Sequence, residues 1–133
     1  METNVRNLLA DNKITYNFFH LGETVLGAWK CDAWTVTIKR ADRSESFRYH
    51  TGTGHRKNSR AVTPEIEGVL HGLVMDYRSA QDTFKDFCEC FGYDQDSRKA
   101  LQTYLDCQDN GNRLLWVIGG GVLAEVEALL EDY

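Results

Sequence analysis

FKDFCECFGYDQDSRKALQTYLDC, residues 84–107, holds two helix-period segments joined by a short Gly-Tyr-Asp-Gln-Asp-Ser connector. Phe84, Phe87, Cys88 and Phe91 recur at the spacing of one helical face. Gly92 predicts the C-terminal cap of that helix, because a residue without Cβ enters the left-handed conformation freely. Asp96 or Ser97 caps the next helix, whose buried stripe is expected to be Ala100, Leu101, Tyr104 and Cys107. Tyr93 should pack back on the core, and Arg98 and Lys99 should pair with Asp86 or Glu89. The connector Asp94-x-Asp96-Ser97 is not a calcium loop, since Lys99 and Leu105 stand where that loop needs Gly and a bidentate Glu.

Downstream, Asp109-Asn-Gly-Asn112 should weaken the second helix, while Leu114, Leu115 and Ile118 carry it on. Gly119-Gly-Gly121 must break or hinge it, and Val122, Leu123, Val126, Leu129 and Leu130 mark a last helix. That hinge would also let the last helix exchange between two copies. Upstream, Thr63-Pro64-Glu65 reads as a helix start, a hydroxyl cap followed by Pro and an acid. Ile66, Val69, Leu70, Leu73, Val74 and Tyr77 predict a helix from 64 to about 80, the element expected to cover a sheet.

Before residue 52 the period changes from helical to two. Ile14–Leu21 is β-branched and aromatic and ends at Gly22; Trp29–Arg40 alternates through Trp34, Val36 and Ile38; Ser44–Thr51 alternates through Phe47 and Tyr49. The short polar turn Ala41–Arg43 makes the last two an antiparallel hairpin. Residues 4–11 form at most a weak amphipathic turn, too short to be stable alone. The order predicts one α+β domain over 1–133: a three-stranded antiparallel sheet in 1–60, then a helical subdomain of three to four helices in 61–133.

The 133 residues are enough for a core without disulfides or metal, and an apolar share of 42% is ordinary for a globular chain. No apolar run is long enough to span a membrane, and the N-terminus does not read as a secretory signal, so no membrane contact is expected. Nothing marks Cys31, Cys88, Cys90 and Cys107 for export, so reduced thiols are the default. Charge is uneven. Residues 1–60 carry ten Lys/Arg against six Asp/Glu, and residues 61–133 carry five against fourteen. The two halves are suited to different contacts.

The loop Gly52-Thr-Gly-His-Arg56, the Thr63-Pro64 helix start and FxxFCxxxGYDxDSRKAxxxYxxC at 84–107 resemble a widespread family of small uncharacterised proteins of tailed bacteriophages and prophages. The likeness covers roughly residues 29 to 110; Phe87 stands where many of those proteins carry Trp, and the Gly-Gly-Gly tail lies outside the pattern. The resemblance implies a phage accessory protein acting in the host bacterial cytoplasm. It implies no reaction, and no cofactor.

Two surfaces are candidates. The acidic helical face, Asp82, Asp86, Glu89, Asp94 and Asp96, would mimic nucleic acid and occupy a basic groove, though most acidic helix faces are simply solvated. The basic segment 39–60, with Lys39, Arg40, Arg43, Arg48, His55, Arg56, Lys57 and Arg60, would take a phosphate backbone or a single anion. Against it, strand alternation points such cations to a solvated face, and the glycine loop matches no nucleotide fingerprint. Metal is not expected: the two sulfurs of Cys88-x-Cys90 on a helix point roughly 200° apart. No nucleophile–base signature is present, so no catalytic residue is assigned. The sequence therefore predicts a non-enzymatic interaction protein that binds a host protein or nucleoprotein complex, with inhibition of a bacterial defence system such as CRISPR as its effect. The alternative is a nucleic-acid-binding accessory protein working through residues 39–60. Monomer and homodimer both remain open.

Overall fold

The computed structural model describes residues 4–52 and 62–131. Its elements run α1 (Val5–Asp11), β1 (Ile14–Leu26), β2 (Trp29–Arg40), β3 (Arg43–Gly52), α2 (Ile66–Ser79), α3 (Phe84–Phe91), α4 (Arg98–Ile118) and α5 (Gly120–Leu129). The fold is α+β, with one antiparallel sheet in the order β1-β2-β3. The chain forms two compact units, Met1–Val69 and Leu70–Tyr133.

In the first unit the sheet grows from the period-2 pattern. Residues opposite one another share a face, so the register places Ile14, Tyr16 and Phe18 of β1, Trp34, Val36 and Ile38 of β2, and Phe47 and Tyr49 of β3 on one side. That side is the core: Val36, Ile38 and Phe47 are buried. Two expectations about β1 are corrected. The strand does not stop at Gly22 but continues to Leu26, and the connector shrinks to Gly27-Ala28. The strand survives the glycine because one extra residue, Leu21, is taken up in a bulge between His20 and Gly22, with Gly22 at a φ of +121°.

α1 is a full helix rather than a turn. Asn4 caps it by accepting the Asn7 N–H at 2.8 Å, Val5, Leu8 and Leu9 are buried, and Arg6 pairs with Glu67. Tertiary burial supplies what seven residues alone lack. The entry to α2 also differs from expectation. The first α-helical acceptor is the carbonyl of Glu65, so Thr63 and Pro64 lie outside the helix. Thr51 Oγ1 donates to the Val62 carbonyl at 2.6 Å and Pro64 is itself buried, which ties that segment to β3. Only the first turn of α2, to Val69, belongs to the sheet unit; from Leu70 the helix folds with α3–α5.

The second unit is built on the aromatic stripe of α3. Phe87, Cys88, Ala100 and Tyr104 form a buried cluster, with Phe84 and Cys107 packed against it. Thr83 caps α3, Gly92 closes it in the left-handed region, and Ser97 caps α4. Leu101, expected in the core stripe, is 43% exposed: Ala100 and Tyr104 complete the buried face of α4, and Leu101 lies about 100° round the helix from Ala100. Asp109–Asn112 does not interrupt α4. Asn110 Nδ2 donates to Asp76 Oδ2 at 3.1 Å, Arg113 to Asp109 at 3.0 Å, and Gly111 lets the helix approach Tyr77 closely. The glycine run breaks the chain at Gly119 alone; Gly120 and Gly121 begin α5. Among the described residues no helix is long and apolar enough to cross a membrane.

Candidate functional site

The most distinctive surface arises where α3 ends. Phe87 is buried and lies against Tyr104, with ring centroids 5.1 Å apart. On its other side it touches Phe91 at 4.9 Å and Tyr93 at 5.8 Å. These last two rings stack on each other, 5.9 Å apart and 22° from parallel. Phe91 is nevertheless 48% exposed and Tyr93 44%. A chain of aromatic contacts thus runs from the core to the surface and ends in a stacked pair held from behind.

Carboxylates occur along α3 and in the connector that follows it. Asp86 and Glu89 sit three residues apart on the exposed side of α3, about 60° from each other round the axis. Asp94 accepts the Asp96 N–H at 2.9 Å, and the Ser97 N–H bonds the Asp94 carbonyl at 3.0 Å, so the connector is fixed by its own hydrogen bonds. Asp96 is exposed; so is Asp82, just before the Thr83 cap, where its backbone carbonyl takes the Tyr104 hydroxyl at 2.6 Å. All five acidic residues singled out in the sequence are therefore exposed. They divide into an α3 group (Asp82, Asp86, Glu89) and a connector group (Asp94, Asp96) beside the aromatic pair. Burial, with the charge of Asp94 behind it, pushes the Cys88 thiol up. A shallow cavity of about 340 Å³ opens beside the pair, lined among others by Tyr93, Asp94, Ser97 and Lys99. The expected ion pairs of Arg98 and Lys99 with Asp86 or Glu89 do not form among the described residues, which leaves both acids of α3 outward.

The basic candidates fare differently. His55, Arg56, Lys57 and Arg60 lie outside the described residues. Arg40 and Arg43 face each other across the β2–β3 turn, on the same side of the sheet as Ile38. Arg48 pairs with Thr35 on the opposite side, which it shares with Lys39. Strand alternation thus spreads the described cations over two faces.

One arrangement escaped the sequence reading. Asp32, in the apolar run Cys31–Trp34, is 2% exposed. His20 Nε2 lies 2.9 Å from its Oδ1, while Oδ2 is buried without a partner among the described residues. The His20 ring packs on Trp34 at 4.6 Å, and Trp34 Nε1 donates to Thr51 Oγ1 at 2.9 Å. An aspartate inside an apolar strand was the available signal; the pairing with His20 follows from the β1–β2 register, which sets His20 opposite Trp34, and was not readable. No group of three or more metal-ligating side chains occurs among the described residues.

Comparison with family models, with curated proteins and with solved structures finds no match to this chain.

Proposed function

We propose that this chain is a non-enzymatic interaction protein that receives a basic surface of a partner protein on the Phe91–Tyr93 pair and the carboxylates around it. The observation that carries the reading is the stacked, half-exposed aromatic pair backed by buried Phe87, with exposed Asp94 and Asp96 in the adjoining connector. Rings fixed in advance lose little conformational freedom on binding, which is why such anchors dominate interface energetics. The carboxylates attract a basic partner and orient it, and a net charge of −5 keeps nucleic acid away.

The resemblance of residues 84–107 to small phage proteins supplies the setting: a host bacterial protein or nucleoprotein complex as partner, with the acidic surface occupying its nucleic-acid groove. Inhibition of a defence system such as CRISPR would follow from that occupation. The alternative, nucleic-acid binding through residues 39–60, draws less support, since its described cations fall on two faces of the sheet.

Capture of the tagged chain's partner from a nuclease-treated bacterial lysate tests this reading. A bound protein should survive nuclease, be lost with Phe91→Ala/Tyr93→Ala and with Asp82→Lys/Asp86→Lys/Glu89→Lys, and persist with Arg40→Glu/Arg48→Glu. Recovery of nucleic acid alone, or capture indifferent to the aromatic pair, would refute it.

A further inference from the structure

Among the described residues β1 and β3 are the outer strands of the sheet, and they differ chemically. β3 carries Arg43, Glu45 and Arg48 along its length, the charged side chains with which proteins ordinarily blunt an edge. β1 has no such protection before its bulge. Its stretch Ile14–His20, ITYNFFH, contains no Lys, Arg, Asp, Glu, Pro or Gly. A short uncharged run of β-branched and aromatic residues is the composition that adds strands most readily. Lys13, at a φ of +59°, turns the chain at one end of the stretch, and the Leu21 bulge ends it at the other. Among the described residues no backbone hydrogen bond reaches β1 from any strand but β2. Phe19 stands 66% exposed on the face opposite the core, with Thr15 and Asn17 exposed beside it.

We infer that β1 pairs antiparallel with β1 of a second copy, with the twofold axis at Asn17, to give a continuous six-stranded sheet. The register follows from the limits of the uncharged stretch, because a run from 14 to 20 paired on itself is centred on residue 17. It also keeps the core faces of both copies on one side, which a one-residue slip would not. Asn17 then lies opposite Asn17, Tyr16 opposite Phe18, Thr15 opposite Phe19 and Ile14 opposite His20. Tyr16 and Phe18, already 5.7 Å apart within the strand, meet their counterparts in a four-ring group. Phe19 gains a β-branched neighbour, and no lysine, arginine or carboxylate meets its like. A second copy is the occupant this stretch fits, since its own sequence satisfies both sides of the pairing. One strand pair buries less than the roughly 800 Å² per partner of a standard interface, so the dimer should form in the micromolar range.

Sedimentation from about 1 to 200 μM is expected to show a mass rising from 15.2 kDa toward twice that value. Asn17→Lys, which sets two ammonium groups on the axis, should raise the midpoint at least tenfold, while Ser44→Lys on β3 leaves it unchanged. Asn17→Cys in a Cys90→Ser background should oxidise to a covalent dimer, because opposed Cα atoms in an antiparallel ladder lie roughly 4.5–5.5 Å apart, within disulfide reach. This second variant decides the matter should Asn17→Lys fail to fold. A wild-type chain that stays monomeric throughout would overturn the inference. So would a dimer that Asn17→Lys leaves intact, or an Asn17→Cys chain that does not cross-link.

Discussion

Replacing Gly111 by alanine sets two opposing effects against each other, and the structure decides between them. Gly111 sits in mid-α4, where alanine is favoured by about 1 kcal/mol on helix propensity. A Cβ there, however, would lie 2.8 Å from the Cα of Tyr77 and 3.1 Å from its Cβ. Carbon atoms pack at about 3.5–4.0 Å, so α2 and α4 would have to separate by roughly 0.7 Å. The obstructing atom belongs to the backbone and cannot rotate aside. Overpacking of this kind costs about 1–3 kcal/mol. The same separation stretches the neighbouring Asn110–Asp76 and Cys107–Asp76 hydrogen bonds, together worth on the order of 1 kcal/mol. The net expectation for Gly111→Ala is a loss of about 1–3 kcal/mol, or roughly 4–12 °C in Tm. Urea and thermal denaturation followed by circular dichroism measure it. Asn112→Ala, one residue on and exposed, gains propensity without the collision and should stabilise by a few tenths of a kcal/mol. An unchanged or raised Tm for Gly111→Ala would refute the close approach of the two helices.

Three further outcomes are expected. His20→Ala should cost about 1–3 kcal/mol by stranding the buried Asp32 carboxyl, and about 1 kcal/mol less in an Asp32→Val background; strict additivity in denaturant melts would contradict the pairing. Burial, and behind it the charge of Asp76, pushes the Cys107 thiol up to about 11, whereas Cys90 is exposed. Iodoacetamide at about pH 8 should therefore label Cys90 in the native chain and spare Cys107 until unfolding, as peptide mass mapping would show. Burial also raises the Asp76 carboxyl above its ordinary value, so its contribution to stability is full below the unfolded pKa and is lost as pH rises through the folded one. Acidification should thus favour the wild type relative to Asp76→Asn, and melts of both proteins across the acidic range that run in parallel would argue against it.

What the sequence made legible followed from periodicity and caps. The helix boundaries at Gly92 and Ser97 came out as read because each satisfies backbone groups locally, within a few residues, whereas the burial of Leu101 and the ion pairs of Arg98 and Lys99, which depend on packing, did not. The long hairpin did not, because the Leu21 bulge absorbs the glycine that reads as a strand end. Thr63-Pro64 is a sound helix start by local chemistry, yet the Thr51–Val62 hydrogen bond, between residues far apart in the chain, overrides it. Gly111 reads as a weak point in α4 and proves to be where α4 meets Tyr77. The acidic residues of the candidate surface were visible as composition. The aromatic anchor was not: Phe91 falls on the stripe of a buried helix face, and only the chain's departure at Gly92 leaves it half uncovered. His20 and Asp32, twelve residues apart, meet through a register that no local pattern encodes.

Hydrogen exchange of the chain bound to its captured partner, against the free chain, measures directly where that partner sits. Slowed exchange over residues 84–98, with that over residues 39–52 unchanged, is the predicted result. Protection confined to 39–52, with the Phe91–Tyr93 segment exchanging as in the free chain, would contradict the assignment of the acid-rimmed aromatic surface.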